Sequence, residues 1–318
     1  MKKKILFLII IIYATKIINI SKSIKIKKYK NEEISPKICI CTLGKTENRY
    51  IKEFVDYYEK YGVDIIFLYD NNDNDGERFE EVIGNYINKG FVKLINWRGI
   101  PKAEIKILNL CYQNNFNIFD WLIFYEIDEY IHLKNYTNIK TFLKEPKFKN
   151  CSVIYLNWVF HTDNNLINYD NRSLKERFPI IDKNIRKNAN NYKIPVKSIL
   201  KGNISRLIIN CVHTLNRKLK SCNGFGLEPN LDLYYIKNPD FENYYIDHYY
   251  SKSIEEFIEK INKGCAFLED SIPYKLHRIN RFFTINEINI EKINYIENKT
   301  GINLSSYKLN LNNRLKKK

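Results

Sequence analysis

The stretch DWLIFYEIDEYIHL, residues 120–133, carries the densest chemistry in the chain: Glu126, Asp128 and Glu129 follow directly on an apolar run. In an extended segment Glu126 and Asp128 point to one side, because side chains alternate with period two. Two carboxylates on one face are what a hard divalent cation needs when it must also hold a diphosphate. An isolated E-x-D is more often a solvated strand end, so the surroundings decide. A central strand cannot bury unpaired charge cheaply. Either these carboxylates leave the core where the strand stops, or positive groups sit among them; the expectation is that they leave it.

The elements that must position this pair follow a repeating order. KICICTLGK reads as a strand, and ENRYIKEFVDYYEKYG as a helix with Gly62 at its C-terminal cap. VDIIFLYD is a second buried strand running into a turn-rich acidic loop, FVKLINW a third, and helices are predicted over 77–89 and 103–115. The alternation predicts an α/β fold, a mostly parallel sheet flanked by helices in a single domain. Ligands of such sheets gather at the carboxyl ends of the strands. Asp70, ending strand two, and Glu126 and Asp128, ending strand four, therefore share one binding edge. Further on, CSVIYLNWVFHTDN opens with an alternating strand, 164–195 reads as polar loops, and SILKGNISRLIINCVHTL as two short strands. YYIDHYYSKSIEEFIEKINKG reads as strand, turn and helix, with Ser253 and Glu256 as reciprocal caps. No repeat or Gly/Pro linker divides the chain.

The 318 residues allow a full core. The net charge of +16 invites a nucleic-acid partner, but thirteen of those charges lie in the two tails, nine of them lysines within residues 1–30. The body is close to neutral and shows no basic stripe with interleaved aromatics, which argues against nucleic acid. MKKKILFLIIIIYATKIINI, residues 1–20, reads as a signal-anchor, with Lys16 able to snorkel, and implies a single-pass type II membrane protein, or a secreted one if the segment is cleaved. Residues 21–36 read as a basic tether, 37–285 as the folded domain, and 286–318 as an extension with a basic tail. Seven cysteines leave at least one unpaired in the monomer. Cys39 and Cys41 read as small buried hydrophobes, and Cys211 with Cys222 as a loop-closing disulfide in an oxidising lumen.

At this point the chain resembles the GT-A glycosyltransferases of the family 2-like and family 92 type, whose fourth strand ends in a pattern like W-hydrophobic-D-x-D-E-aromatic. CTLGKTENRYIKEFVDYYEKYGVDIIFLYDNNDND is similar to that group's opening, NWVFHTDN to its W-x-x-F-G segment, VHT to its mid-chain His, and DHYYSKSIEEFIEKINKG to its H-Y-x-x-K-S-x-x-E-F terminus. The departures are Glu126 for the usual Asp, His161 for the Gly after Phe160, and the inverted order Thr46-Glu47-Asn48. The resemblance implies a GT-A sheet and a metal held by Asp128, with Glu126 as partner and Glu129 structural or facing the acceptor. His248 becomes the third ligand and His213 its rival; a neutral imidazole favours Mn2+ over Mg2+. Lys252 offsets diphosphate charge, while Asp70, Asn71 and Glu47 hold the nucleotide.

The reaction so implied is transfer of a hexose, galactose foremost, from a UDP-sugar to a glycan, lipid or protein acceptor with inversion. One carboxylate accepts the acceptor's proton. No acid lies between Lys183 and Leu227, which leaves Glu228 and Asp163 for that role. Two rival readings are a metal-dependent phosphoesterase and an inactive tethered carbohydrate-binding protein using Trp97, Trp121 and Trp158.

Overall fold

β1 (Ile38–Gly44), β2 (Ile65–Asp70) and β3 (Val92–Asn96) alternate with α1 (Asn48–Lys60), α2 (Glu80–Asn88) and α3 (Glu104–Asn115). The computed structural model describes residues 35–182, 193–214, 218–264 and 271–309. The anchor segment 1–20 and nearly all of the tether lie outside the described residues, as do Cys265 and the basic end. α1 forms because its apolar positions recur at helical spacing: Tyr50, Ile51, Phe54, Val55 and Tyr58 are buried on one stripe. It stops at Gly62, whose φ of 89° is open to glycine at little cost.

The strands run parallel in the order β3-β2-β1-β4, where β4 is Trp121–Ile123. The chain thus winds one way from β1 through β3 and then crosses to β1's other side. That reversal opens a crevice at the carboxyl ends of β1 and β4. Gly44 ends β1 there, and a Cβ on it would come within 2.8 Å of Ile127 and 2.6 Å of Phe79.

Beyond β4 the sheet is mixed. β5 (Glu129–Leu133), the far edge of the pairing order, is followed in the chain by a short α4 (Ile139–Leu143), β6 (Val153–Phe160), α5 (Leu174–Arg177) and β7 (Ile194–Lys201). β7 is antiparallel to both β4 and β6. β8 (Ser221–Asn223) runs parallel to β6, and β9 (Leu231–Asp232) with β10 (Tyr235–Ile236) forms a small hairpin against β7. β11 (Tyr244–His248) lies between β6 and β5, so the pairing order continues β4-β7-β6-β11-β5. Only residues 124–128 join β4 to β5, although three strands separate them in that order, so the sheet curls back on itself. The acidic stretch is therefore the corner where two ends of a curled sheet meet.

α6 (Ile254–Asn262) starts at the predicted capping box, with Ser253 accepting from the Glu256 N–H and Glu256 from the Ser253 N–H. α7 (Ile272–Ile285) and α8 (Ile290–Thr300) complete the fold. The segment after 285 is built into the body: Asn286 accepts from the Asp163 N–H at 2.6 Å, and buried Lys292 pairs with Asp163 at 2.7 Å.

Three expectations need correction. β6 does not alternate; all eight residues are buried, because both faces of the curled sheet are covered. The segment expected to give two short strands gives one longer strand, β7, and residues 204–214 form no strand. Cys41 is bonded to Cys111, tying β1 to α3, and Cys151 to Cys222; Cys211 is free, and only Cys39 keeps the role of buried hydrophobe. Those pairs link positions 70 and 71 residues apart, so linear spacing holds no trace of them.

Candidate active site

The carboxylates of the corner do not leave the core. Asp128 is 5% exposed and Glu129 is fully buried, while Glu126 opens to the crevice. The second of the two alternatives holds: cations sit among them. Lys197, on β7, donates to Glu126 Oε1 at 2.7 Å and lies 3.3 Å from Glu129 Oε1. Lys260, on α6, and Lys252 donate to Asp128 Oδ2 at 2.7 and 3.2 Å. Burial alone would raise these acids; the lysines hold Glu126 down at about 2 and Asp128 well below the usual carboxylate range. Glu129 stays high, since burial outweighs Lys197; it accepts from the Trp158 indole at 2.9 Å and the Glu126 N–H at 2.9 Å. Its part is to brace the corner.

His248 ends β11, beside the corner because β11 pairs with β5 at Glu129. Burial lowers its pKa to about 4, which keeps the ring neutral and its lone pair available. Neither ring nitrogen has a hydrogen-bond partner among the described residues; Nε2 stands 3.5 Å from Asp128 Oδ1. A buried imidazole without a hydrogen-bond partner beside two carboxylates has a lone pair available to a cation. Ligand atoms of Glu126, Asp128 and His248 all lie within 4.8 Å of one another. Two oxygens and one imidazole nitrogen suit Mn2+, so the residues fit the expected cation.

A crevice of about 830 Å³ runs past this group on the side of the parallel strands, and a second lobe of about 810 Å³ opens on the other, beneath α7. Asn71 and Glu47 line the first lobe, Glu47 held by Lys263 from the end of α6. Asp70 does not. It is buried against Arg98 at 2.6 Å, and Arg98 also donates to the Glu77, Asp73 and Gly76 carbonyls, so this acid shapes the loop that follows β2. His213 faces both lobes but stands apart from the three-residue group. Its Nδ1 is 3.0 Å from the Val196 carbonyl and its ring stacks on Tyr234. Lys252 is no solvated lysine; it is 4% exposed, and Asp128 keeps its pKa high against burial. His161, where a Gly was expected, lies buried between the Phe178 carbonyl and Asp247, outside both lobes.

Neither expected base lines the crevice. Glu228 is exposed on the segment before β9 and lines neither lobe, and Asp163 is buried in its pair with Lys292. A further carboxyl that lines the crevice is Glu104, in the first turn of α3. It has no hydrogen-bond or ion-pair partner among the described residues, and burial, with the Glu126 charge, pushes it up to about 7. An acid in a helix's first turn looks like an ordinary dipole partner in sequence, which is why it went unread. Lys197 left a fainter signal: a lysine amid the apolar residues of IPVKSILK must find a carboxylate if that strand is buried.

The family model for glycosyltransferase family 92 matches residues 37–284. A family 92 protein of Ricinus communis is 30% identical over 108 residues, 34% of this chain and 19% of that protein. One of Oryza sativa subsp. japonica is 26% identical over 113 residues, 35% of this chain and 19% of that protein. The matched stretch thus spans about a fifth of these relatives' length. Among solved structures, S. aureus TarS covers 78% of this chain and 43% of its own at 13% identity and a TM-score of 0.33. The mannosyltransferase PcManGT from Pyrobaculum calidifontis, in complex with GDP-Man and Mn2+, covers 42% and 40% at 10% identity and a TM-score of 0.28. Likeness that slight bears no weight beside the sheet order itself. With a family model spanning nearly the whole described body, the chain belongs to glycosyltransferase family 92.

Proposed function

We propose that this chain transfers a hexose, galactose foremost, from a UDP-sugar to a saccharide-bearing acceptor in one inverting displacement dependent on Mn2+ or Mg2+. The observation that carries the reading is the group Glu126, Asp128 and His248 at the crevice, with its unpaired buried imidazole. These three residues would hold the cation, whose chemistry when bound is to neutralise the departing diphosphate. Lys252, whose pKa Asp128 raises against burial, keeps its positive charge beside that carboxylate, while burial brings its neighbour Lys260 down to about 8. The first lobe, reached by Asn71 and Glu47, suits the nucleotide, because it lies at the carboxyl edge where the strand order reverses. Glu104, unpaired and facing the same space, is the carboxylate best fitted to take the acceptor's proton near neutral pH.

The anchor at 1–20 and a type II membrane placement belong to the same proposal. Two disulfides in the body favour an oxidising compartment. Among the described residues no helix is long and apolar enough to cross a membrane, so the anchor would have to come from the N-terminal segment.

The test is UDP release by the full chain from a panel of UDP-sugars, with Mn2+, with Mg2+ and with EDTA. Release that requires the metal and rises with a saccharide acceptor supports the proposal. Release indifferent to EDTA overturns the metal assignment. Cleavage of simple phosphoesters without preference for a nucleotide sugar makes the chain a phosphoesterase, and saccharide binding without turnover makes it a binding protein.

A further inference from the structure

We propose that the second lobe takes an acceptor bearing an oxyanion, a carboxylate, sulfate or phosphate ester on a saccharide, and that Arg281 selects for it. This rests on the transferase reading, since it assigns the nucleotide to the first lobe and the acceptor's charged end to the second, with the reacting hydroxyl where the lobes meet at Glu126, near Glu104.

The two lobes meet at Glu126; Asn71 lines only the first and His248 only the second, so a group in the second lobe reaches that junction away from the nucleotide end. Its charge is one-sided. Lys102, Lys260, Arg278 and Arg281 line it, and among the described residues Glu126 is its sole acid, already held by Lys197. α7, which roofs it, carries Lys275, His277, Arg278 and Arg281 and no Asp or Glu between Ile272 and Ile285. The lobe continues into a recess of about 250 Å³ lined by Lys193, His277 and Arg281, again without an acid.

Arg281 is the distinctive member. Its guanidinium carbon lies 5.6 Å from the centre of the Trp158 ring and 5.5 Å from those of Phe160 and Tyr250, with no carboxylate partner among the described residues. Rings within cation–π range draw the guanidinium towards their faces without closing its N–H edge, and that fork matches an oxyanion bidentately. Trp158, Tyr250 and Tyr274 supply faces against which a sugar ring can lie. Cations alone would suit any anion; cations interleaved with aromatic faces, next to a hexosyl donor site, suit an acidic saccharide.

The donor's own diphosphate is the competing claimant for these arginines, and the test separates the two. Matched hexosides, neutral against 6-uronate, 6-sulfate and 6-phosphate, are titrated against the full chain by ligand-observed NMR without metal, then compared as acceptors by UDP release with Mn2+. The three anionic forms distinguish which oxyanion is preferred. At least one anionic member should bind about tenfold more tightly than its neutral mate or better, the size of a charge-assisted hydrogen bond. Arg281→Ala should remove that preference and leave the KM for the UDP-sugar within about twofold, with Arg281→Lys restoring it in part. Equal binding of both members, or binding of neither, overturns the proposal. So does an Arg281→Ala chain that keeps the preference, or one that loses affinity for the UDP-sugar instead. UDP release with Mn2+ reports the transferase reading separately: its absence in the wild type with every donor and acceptor would fail that reading, while its presence with no anionic preference would fail this one alone.

Discussion

Two strand-end aspartates invite the same reading in sequence and do different work in space. Asp70 closes β2 and Asp128 follows β4; both are buried and both face cations. Asp70 meets one guanidinium, whose two terminal nitrogens also donate to three backbone carbonyls of the loop 73–77. That arrangement is nearly closed: both terminal nitrogens are fixed by a rigid fork, and only the buried Nε has no partner among the described residues. Asp128 meets two lysine amines, point charges on flexible stems, together with an imidazole that has no partner among the described residues. An acid held by amines and flanked by an unsatisfied donor atom is open to a new partner. The contrast teaches that burial and charge pairing do not separate scaffold from site; the geometry of the partners does.

The contrast breaks first at Asp128. Asp128→Asn should cut metal-dependent UDP release by about a thousandfold, the several kcal/mol a cation supplies to a departing diphosphate. It also leaves Lys252 and Lys260 short of their counter-charge, so a fall in thermal midpoint is expected alongside. Asp70→Asn sharpens the contrast: stability should fall while turnover at saturating donor stays within a few-fold. Loss of turnover as deep as that of Asp128→Asn, in a folded chain, would erase the distinction.

Next in size is Arg98→Ala, which strands the buried Asp70 charge. Denaturant unfolding should show about 3–5 kcal/mol of lost stability. Glu104→Gln is smaller, about a hundredfold in kcat with metal affinity intact. Because the carboxyl titrates near 7, wild-type turnover should climb as pH rises through about 7 and the base form appears, and the variant should lack that inflection. The least effect is on acid stability. Burial, with Lys197 nearby, holds His213 down at about 3 against an ordinary 6.5. Between those values the unfolded chain binds a proton that the folded chain refuses, so stability is full above 6.5 and drains as pH falls toward 3. His213→Gln should flatten that slope in a pH series of thermal melts.

What could be read in the sequence was local. The parallel strands, the α1 stripe ending at Gly62, the Ser253 capping box and the E-x-D itself depend on neighbours a few residues apart, and all were found. The cations that decide what the carboxylates do come from 71, 124 and 132 residues away. Periodicity cannot see across that distance. The burial of Asp128 went unread for the same reason: the corner is covered because the sheet curls, and curling is a property of the strand order. The assignment of Glu228 and Asp163 as bases relied on the absence of other acids in one stretch of chain, while a carboxyl that lines the crevice sits at the start of a helix much earlier.

The tie between Asp163 and the segment after α7 has a practical edge. Anyone trimming this chain where the family match stops, at residue 284, would discard Asn286 and Lys292 and leave a buried carboxylate stranded at the end of β6. A shortened chain that precipitates would then say nothing about the anchor or the chemistry. Expression boundaries belong beyond α8, where Gly301 turns the backbone out of the helix.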